Sequence, residues 1–445
     1  MVGLAISFGK TYNYPTTPLP IGTTEITNET FTLLPEARRK HIAIFGKSGV
    51  GKTTLLRNMI ACDIHEGAGV TVLDPHGSLV EELIELIPRH RTNDVIYFNP
   101  QDPERVLGIN ILARVSDAQR SLVVSSLIST LRNIWPEMWG PRTEFILSNV
   151  AFALLAQPQP VTLAAIPKLL TDPDYCASVL RHVSDPAVRW FFELYDTHWN
   201  ERFREEAISP ILNKVSKFIT NPLLRAIIAQ PTSSFDIRRM MDTGKILLCN
   251  LSKGALGEDV SFLLGSLIVT KLPLAALSRQ DIAEAQRRSH FLYADEVRNF
   301  IHGIDFPTIL AEARKYRLTL AIATQTISQL PEKSTSAVFG NCATIMSFRV
   351  SADDAQTLAQ EFSLMLPASQ LQDLSDYKLY VRTLISLSEG APAVTPSKPH
   401  LITTFAPFSK AGNENTRERV IRASLERYAR PRGEVEARIN RFLSQ

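Results

Sequence analysis

Residues 46–53 read Gly-Lys-Ser-Gly-Val-Gly-Lys-Thr, and this segment constrains the fold of the chain more than any other. It matches the phosphate-binding pattern G-x-x-x-x-G-K-[ST] at every fixed position. The apolar run 41–45 before it is typical of a buried strand, and the run 54–60 after it is typical of a helix. A strand, a glycine-rich loop and a helix N-terminus place successive backbone N–H groups around a phosphate. We therefore expect an α/β domain that binds a nucleotide.

The residue types of this loop predict separate roles in nucleotide binding. Lys52 can reach the β- and γ-phosphates, and the Thr53 hydroxyl can bind Mg²⁺. A chance glycine turn is the alternative, and the complete motif with both flanks argues against it. The residues predicted to contact ATP are Gly46, Ser48, Gly49, Val50, Gly51, Lys52, Thr53 and Thr54.

Two adjacent carboxylates, Asp295 and Glu296, follow the apolar run 291–294. We expect Asp295 to hold Mg²⁺ through a coordinated water, and Glu296 to orient and deprotonate the attacking water. One carboxylate is enough for a nucleotide-dependent switch, whereas a second beside it favours hydrolysis. The alternative is an acidic cap on the following helix. The pair therefore predicts an ATPase, with Lys52 and Glu296 as catalytic residues.

Gln325 and Arg314 complete the predicted catalytic set. Gln325 follows the apolar run 318–323, where its amide can donate to the γ-phosphate and distinguish ATP from ADP; a surface-loop glutamine is the alternative. Arg314 precedes that run, and an arginine from a neighbouring subunit can stabilise charge that develops on the γ-phosphate. Residue type alone does not separate Arg314 from an ordinary solvated arginine.

Length and composition indicate a globular protein of two or three domains. The chain has 445 residues, of which 44% are hydrophobic and 21% charged. We expect no membrane span, because the most apolar stretch, 260–277, is interrupted by Lys271 and Pro273. No secretion signal is visible at the N-terminus. The four cysteines are far apart without a C-x-x-C pair, which predicts neither a metal site nor disulfides and fits a cytoplasmic location.

Positive charge is concentrated at the C-terminus. Residues 410–445 carry nine Lys or Arg against five Asp or Glu, whereas the net charge of the whole chain is only +3. A solvated helix face and a contact with nucleic acid or a protein partner are both open explanations.

The order of strand-like and helix-like runs predicts the domain organisation. Strand-like runs at 70–73, 94–98, 246–250 and 343–350 alternate with helices and favour a mostly parallel sheet. Helix-like runs at 122–134, 144–156 and 209–228 predict an all-α insertion, and 392–407 reads as a Pro/Thr-rich connector. A final helical segment, 417–443, is broken near Pro431. The predicted divisions are 1–36, an N-terminal β segment; 37–115, the first part of the ATPase core; 116–231, the all-α insertion; 232–409, the second part of the core; and 410–445, a basic helical tail.

Several other classes of P-loop protein lack support. An ABC ATPase requires a Leu-Ser-Gly-Gly-type signature, which the sequence does not contain. A GTPase requires Asn-Lys-x-Asp, and the nearest segment, 213–216, has Ser at the last position. Small-molecule kinases rarely combine a long helical insertion with adjacent Asp and Glu.

With these motifs identified, the chain resembles the FtsK/HerA superfamily of ring-forming DNA translocases. It is most similar to the type IV secretion coupling proteins of the TraG/TraD kind, which transfer DNA in conjugation. The resemblance covers about residues 8–443. The segments that carry it are 46–54, the Asp-Pro-His-Gly of 72–77, the strand and turn of 244–254, the Asp-Glu of 295–296 and the Ala-Thr-Gln of 323–325.

The resemblance implies a RecA-like core with an inserted all-α domain, assembled as a homohexamer with ATP between subunits. It also implies DNA as a partner, alongside type IV secretion or relaxosome proteins. Coupling proteins place a trans-acting arginine between the Asp-Glu pair and the glutamine, which points to Arg314, with Arg317 as the second choice. The stretch 252–259, which includes Lys253, is a candidate for a pore loop, and an ordinary turn is the alternative. Many relatives begin with transmembrane helices that this chain lacks, so we expect recruitment to the inner membrane through a partner or a soluble motor.

Two alternative functions remain open on the sequence. One is a soluble HerA-like motor for DNA processing or defence, which uses the same motifs and differs in its genomic neighbours. The other is a scaffold that binds ATP without hydrolysis and recruits substrate to a channel. The adjacent Asp295 and Glu296 argue against the scaffold.

Overall fold

The chain divides into two compact units in a computed structural model. The residues that the structure describes are 17–112, 117–135, 139–301, 306–386, 394–409 and 415–444. The sheet unit comprises Met1–Phe98, Ile237–Ser252 and Lys271–Ser424, and the helical unit comprises Asn99–Asp236, Lys253–Thr270 and Leu425–Gln445.

In chain order, the strands are β1 (Leu19–Thr24), β2 (Thr30–Leu33), β3 (Ile42–Phe45), β4 (Gly69–Asp74), β5 (Val95–Phe98), β6 (Arg105–Val106), β7 (Ile246–Asn250), β8 (His290–Ala294), β9 (Leu318–Thr324), β10 (Thr344–Ser347), β11 (Lys378–Arg382), β12 (Leu384–Ser386), β13 (Val394–Pro396), β14 (His400–Thr404) and β15 (Arg430–Pro431).

The α-helices are α1 (Pro35–Arg38), α2 (Lys52–His65), α3 (Ser78–Ile84), α4 (Asp117–Ile134), α5 (Pro141–Leu155), α6 (Ala165–Thr171), α7 (Pro173–Leu180), α8 (Pro186–Glu193), α9 (Glu201–Thr220), α10 (Pro222–Ile228), α11 (Ile237–Thr243), α12 (Lys253–Leu256), α13 (Glu258–Leu277), α14 (Arg298–Ile301), α15 (Phe306–Glu312), α16 (Glu332–Asn341), α17 (Ala352–Glu361), α18 (Ala368–Gln372), α19 (Thr416–Tyr428) and α20 (Arg432–Ser444). A π-helical turn, Leu194–His198, follows α8.

A large, mostly parallel sheet forms the sheet unit, which confirms the predicted fold class. Within the described residues its strand order is β2-β1-β14-β11-β10-β3-β9-β8-β4-β7-β5. The seven strands from β10 to β5 are all parallel. All residues of these seven strands are buried, as expected for strands that are covered on both faces by helices. Their carboxyl ends therefore meet at one edge of the sheet, where ligands bind in folds of this type.

The segment 392–407 was predicted to be a connector, and that prediction is wrong for its described residues, 394–407. It contains β13 and β14, and β14 pairs antiparallel with both β11 and β1. Ile402 of β14 is fully buried. Because β14 lies between two other strands, its pairing depends on partners elsewhere in the chain, and the Pro- and Thr-rich composition of the surrounding segment concealed it.

The helical unit contains the predicted all-α segment. The predicted helix 209–228 is in fact two helices, α9 and α10, separated at Asn221. The Asn221 side chain accepts a hydrogen bond from Leu224 N, and Pro222 occupies the first turn, so a new helix begins there. This unit also takes in Lys253–Thr270 and Leu425–Gln445, which lie outside the predicted insertion.

The prediction that no segment has the length and apolar composition of a membrane span is wrong, because α13 has both. It continues through Lys271 and Pro273, and with the following single turn it forms a 24-residue helix, Glu258–Asp281. This helix is long and apolar enough to cross a membrane, while 61% of its most apolar window is buried within the folded chain. A mostly buried helix of a globular protein has the same properties, so length and composition alone do not assign it to a membrane.

The basic C-terminal segment forms two helices, α19 and α20, and the predicted break near Pro431 is confirmed. Several of its arginines have partners inside the fold. Arg417 forms an ion pair with Glu81, and Arg432 donates to the carbonyls of Pro100 and Asp102. Part of the positive charge of this segment is therefore paired with groups of the same chain.

Candidate active site at the carboxyl edge of the sheet

The predicted phosphate-binding loop connects β3 to α2. Gly51 has a φ of 111°, in the left-handed region that favours glycine. Gly46 lies so close to Phe348 that a Cβ there would be 2.7 Å from the Phe348 Cβ. Val50 is buried and holds the loop against the core, while Ser48 and Gly49 are exposed. The loop therefore presents its backbone outward at the N-terminus of α2, which is the geometry that binds phosphate.

Lys52 lies folded over this loop. Its Nζ donates to the carbonyls of Gly46 at 2.6 Å and Lys47 at 2.8 Å, and the side chain is buried. Burial lowers the pKa of Lys52, and the negative charges of Glu296 and Asp295 oppose this shift. The ammonium group therefore contacts the loop carbonyls and lies within the electrostatic influence of the two carboxylates predicted to act with it.

Thr53 and Asp295 are brought into contact by the fold. The Thr53 Oγ1 donates to Asp295 Oδ2 at 3.1 Å. Burial raises the pKa of the Asp295 carboxyl, and the nearby charges of Asp74 and Glu296 raise it further. A hydroxyl and a carboxylate oxygen side by side, among acidic groups that repel one another, are suited to a hard cation such as Mg²⁺.

Glu296 is buried beside Asp295 and has a strained backbone. Its φ is 49°, which is unusual for a residue with a side chain. Its Oε2 lies 3.5 Å from Arg298 Nε, and the Glu296 side chain is only 4% exposed. Strained backbone of this kind is concentrated at active sites. Sequence reasoning missed Arg298, because nothing in the residue pattern separates it from other arginines at the start of a helix.

Gln325 follows β9, next to the phosphate-binding loop. The backbone N–H of Gly46 donates to the carbonyl of Thr324 at 3.3 Å, so the residue before Gln325 contacts the first residue of the loop. Val297 N donates to the carbonyl of Ala323, which ties the Asp-Glu segment to the same strand end. Gln325 itself is partly buried. The fold therefore brings Gln325, the loop and the carboxylates to one edge.

Arg314 lies at the opposite edge of the sheet. It is exposed, and it belongs to a single helical turn, Ala313–Tyr316, that precedes β9. The seven residues of β9 separate Arg314 from Gln325, a span of roughly 20 Å at the usual rise of a strand. Burial lowers the pKa of His41, which precedes β3, and the charge of Arg314 lowers it further. Arg314 therefore does not meet the other predicted residues within one chain.

Arg317, the second choice for the trans-acting arginine, is held more firmly by its surroundings than the exposed Arg314. It forms an ion pair with Glu284 at 3.6 Å, its backbone is left-handed with a φ of 60°, and burial lowers its pKa.

The Asp-Pro-His-Gly segment at the end of β4 has a structural role that the sequence did not reveal. Asp74 is fully buried, and its two oxygens accept from His76 N at 2.9 Å and Val80 N at 3.0 Å, so it shapes the turn into α3. Gly77 is left-handed, and a Cβ there would lie 2.6 Å from Asn250 Oδ1. These contacts join the carboxyl ends of β4 and β7 beside Asp295.

Tyr377 is a further residue at this edge that sequence reasoning missed. Its backbone N–H donates to the carbonyl of Val50 at 2.9 Å, and a Cβ added to Gly51 would lie 2.8 Å from the Tyr377 ring. No sequence pattern connects a tyrosine near the start of β11 with a loop after β3.

Comparisons with known proteins place the chain in a recognised group. A family model described as the type IV secretion-system coupling protein DNA-binding domain matches residues 26–376. No curated protein sequence matches the chain.

Solved structures share the fold across almost the whole chain. The plasmid coupling protein TrwB with a non-hydrolysable ATP analogue has a TM-score of 0.61 at 17% identity, covering 91% of this chain and 98% of that one. TrwB with ADP and Mg²⁺ has a TM-score of 0.57 at 18% identity, covering 91% and 99%. VirB4 of Thermoanaerobacter pseudethanolicus has a TM-score of 0.55 at 12% identity, covering 90% and 98%. At these identities the likeness concerns the fold.

Proposed function

The chain belongs to the type IV secretion-system coupling protein family, as its motifs predict, and we propose that it is an ATP-driven motor that moves DNA into a secretion channel. The observation that carries the proposal is the contact between Thr53 and Asp295, with Glu296 buried alongside. This arrangement is what a P-loop enzyme needs to hold Mg²⁺ and activate water.

Nucleotide binding uses the loop between β3 and α2. The backbone N–H groups of the loop contact the phosphates, and Lys52 exchanges its bonds with the loop carbonyls for bonds with the β- and γ-phosphates. Thr53 and Asp295 would hold Mg²⁺, and the cation would neutralise charge on the phosphate oxygens. The solved relatives of this fold with an ATP analogue and with ADP and Mg²⁺ support this choice of ligands.

Hydrolysis depends on Glu296 as general base. Its position at the end of β8, one residue after Asp295, orients a water for attack on the γ-phosphate. Gln325, at the neighbouring strand end, donates to the γ-phosphate and distinguishes the triphosphate from the diphosphate. Arg298, paired with Glu296, holds the carboxylate in place.

A second subunit completes the site. Because Arg314 is exposed at the edge of the sheet away from its own loop, we assign it to the nucleotide of a neighbouring copy. A closed ring of identical subunits presents the same residue to each neighbouring site, and a homohexamer is the assembly that the family implies. Arg314 then stabilises the charge that develops during hydrolysis.

The transported substrate is DNA, in keeping with the DNA-binding description of the family model. Contacts with the phosphate backbone are independent of sequence and weaken with salt. Relaxosome and secretion-channel proteins are the expected protein partners, and one of them recruits the motor to the inner membrane.

The deciding experiment measures ATP hydrolysis by the full chain with and without DNA, over a range of salt. We expect stimulation by DNA that falls as salt rises, and a loss of at least about 100-fold in Glu296→Gln with ATP binding retained. Glu332→Gln is the matched control, since Glu332 is an exposed glutamate at the start of α16 and is outside the predicted catalytic set. Absence of turnover in the wild type under every condition, with ATP bound, would favour an ATP-dependent scaffold.

A further inference from the structure

Tyr377 is placed against the phosphate-binding loop by its backbone. Its N–H donates to Val50 O at 2.9 Å, and its carbonyl accepts from Thr404 N at 2.8 Å and from Thr404 Oγ1 at 3.1 Å. Its neighbour Asp376 forms an ion pair with Arg349 at 2.8 Å. Backbone hydrogen bonds and the ion pair of the neighbouring residue therefore hold Tyr377 beside the loop, without any contribution from its ring.

The Tyr377 ring is unusual in both exposure and conformation. The residue is 48% exposed, although it lies within van der Waals distance of Gly51 at the start of α2. Its φ is 64°, in the region that residues with a side chain rarely adopt. A large aromatic surface held open to solvent by a strained backbone, beside a ligand loop, indicates a function beyond packing.

The strand order sets the direction in which a bound nucleotide lies. Asp295 and Glu296 follow β8, which is separated from β3 by β9 on one side. Tyr377 precedes β11, which is separated from β3 by β10 on the other side. Because β11 runs antiparallel to β10, its first residues lie at the same carboxyl edge as the loop.

A triphosphate whose γ-end faces the two carboxylates must point its nucleoside end the other way, toward Tyr377. Resting on the proposed function, we propose that the Tyr377 ring stacks on the base of the bound nucleotide. The site therefore has two halves, a phosphate half formed by the loop and a base half formed by this ring.

Stacking has consequences for specificity. Every nucleobase has a π-face, so a stacking ring recognises that a base is present without reading its hydrogen-bonding edge. Tyr377 thus favours nucleoside triphosphates over inorganic polyphosphate and contributes little to a choice between adenine and guanine.

The test compares ligands with and without a base on the full-length protein. Dissociation constants for ATP and for inorganic tripolyphosphate, both with Mg²⁺, are measured by calorimetry for the wild type, Tyr377→Leu and Tyr377→Phe. We expect the leucine variant to bind ATP about tenfold more weakly and tripolyphosphate within about twofold of the wild type. The phenylalanine variant keeps both affinities, since the ring is retained. Trp190→Leu, which removes a 58% exposed aromatic ring from the helical unit, is the matched control and leaves both unchanged.

Three outcomes overturn the proposal. Unchanged ATP affinity in Tyr377→Leu means that the base does not contact the ring. An equal loss for ATP and tripolyphosphate means that Tyr377 only shapes the loop. A wild type that binds tripolyphosphate as well as ATP means that the site has no base half. A wild type that binds neither ligand instead refutes the proposed function, and the stacking role with it.

Discussion

Thr53 and Asp295 are 242 positions apart in the chain, and the Thr53 hydroxyl donates to the Asp295 carboxylate at 3.1 Å. Thr53 is in the first turn of the helix after β3, and Asp295 follows β8, two strands away in the sheet. This contact joins the phosphate-binding loop to the acidic pair.

Replacing Asp295 with asparagine should remove the dependence of nucleotide affinity on Mg²⁺. Asparagine keeps the size of the side chain and its contact with Thr53 but loses the negative charge that a hard cation requires. We expect ATP affinity in the wild type to fall about tenfold when EDTA replaces Mg²⁺, and to be nearly constant in the variant. Titrations in the two buffers measure this. A variant that still responds to Mg²⁺ like the wild type would assign the cation to other ligands.

Mixing two inactive variants should restore activity if Arg314 acts on a neighbouring subunit. Arg314→Ala keeps its own Glu296, and Glu296→Gln keeps its own Arg314, so a mixed ring contains complete sites between unlike subunits. Roughly a quarter of the interfaces are complete in randomly mixed rings. Steady-state ATP hydrolysis of each variant alone and of the mixture measures the effect.

The control for this experiment is Lys315→Ala. Lys315 is the exposed cation next to Arg314 and pairs with Glu312, so its loss should leave hydrolysis unchanged. No recovery in mixtures that are shown to assemble would place the arginine function elsewhere.

Removing Asp63 should destabilise the sheet unit strongly. Arg38 and Asp63 form a fully buried ion pair, and the Tyr293 hydroxyl donates to Asp63 at 2.5 Å. Asp63→Ala leaves the Arg38 guanidinium buried without its counter-charge, so we expect a loss of about 3 kcal/mol in the free energy of unfolding. Urea unfolding measures it. Glu206→Ala, which breaks an exposed pair with Arg202, is the control and should change the value by less than about 0.5 kcal/mol.

Stability should fall on mild acidification because of His41. Burial lowers the pKa of His41 to about 4, and the charge of Arg314 contributes. The neutral ring accepts from Leu320 N through Nδ1, while Nε2 donates to the Leu310 carbonyl. In the unfolded chain the pKa of this histidine is about 6.5, so the unfolded state binds the proton first. The stabilisation is complete above pH 6.5 and decreases as the pH falls toward 4.

For this one histidine the expected loss between pH 7 and pH 5 is about 2 kcal/mol. Between pH 7 and pH 5, the unfolding free energy of His41→Gln should fall by about 2 kcal/mol less than that of the wild type. His76→Gln changes an exposed histidine, so its unfolding free energy should fall as much as that of the wild type. Unfolding free energies at the two pH values measure the difference. Equal losses in His41→Gln and the wild type would show that His41 is protonated equally in both states.

Much of the candidate site was predictable because its parts are local. The phosphate-binding loop, the Asp295–Glu296 pair and Gln325 each follow a short apolar run that forms a strand of the sheet. Parallel strands place all their carboxyl ends at one edge, so residues that follow such strands meet without any further information. The roles assigned to these residues stay predictions until they are tested by substitution.

Other features were not predictable, because they depend on distant partners. β14 looked like a connector, since its pairing depends on β1 and β11. The helix α13 looked interrupted, although its lysine and proline are accommodated in a continuous helix. Arg298 and Tyr377 carry no motif, and only the folded backbone shows that one lies beside Glu296 and the other beside Gly51.

The amino-acid sequence by itself determined which groups the candidate site contains: a loop predicted to bind phosphate, two carboxylates predicted to act on a cation and on water, and a glutamine at a strand end. These depend on a few neighbouring residues, whose backbone preferences act over short range. Only the tertiary structure decided which of these groups meet. It joined Thr53 to Asp295, left Arg314 at the far edge and brought Tyr377 to the loop, because the order of strands in a sheet is set by packing over the whole chain.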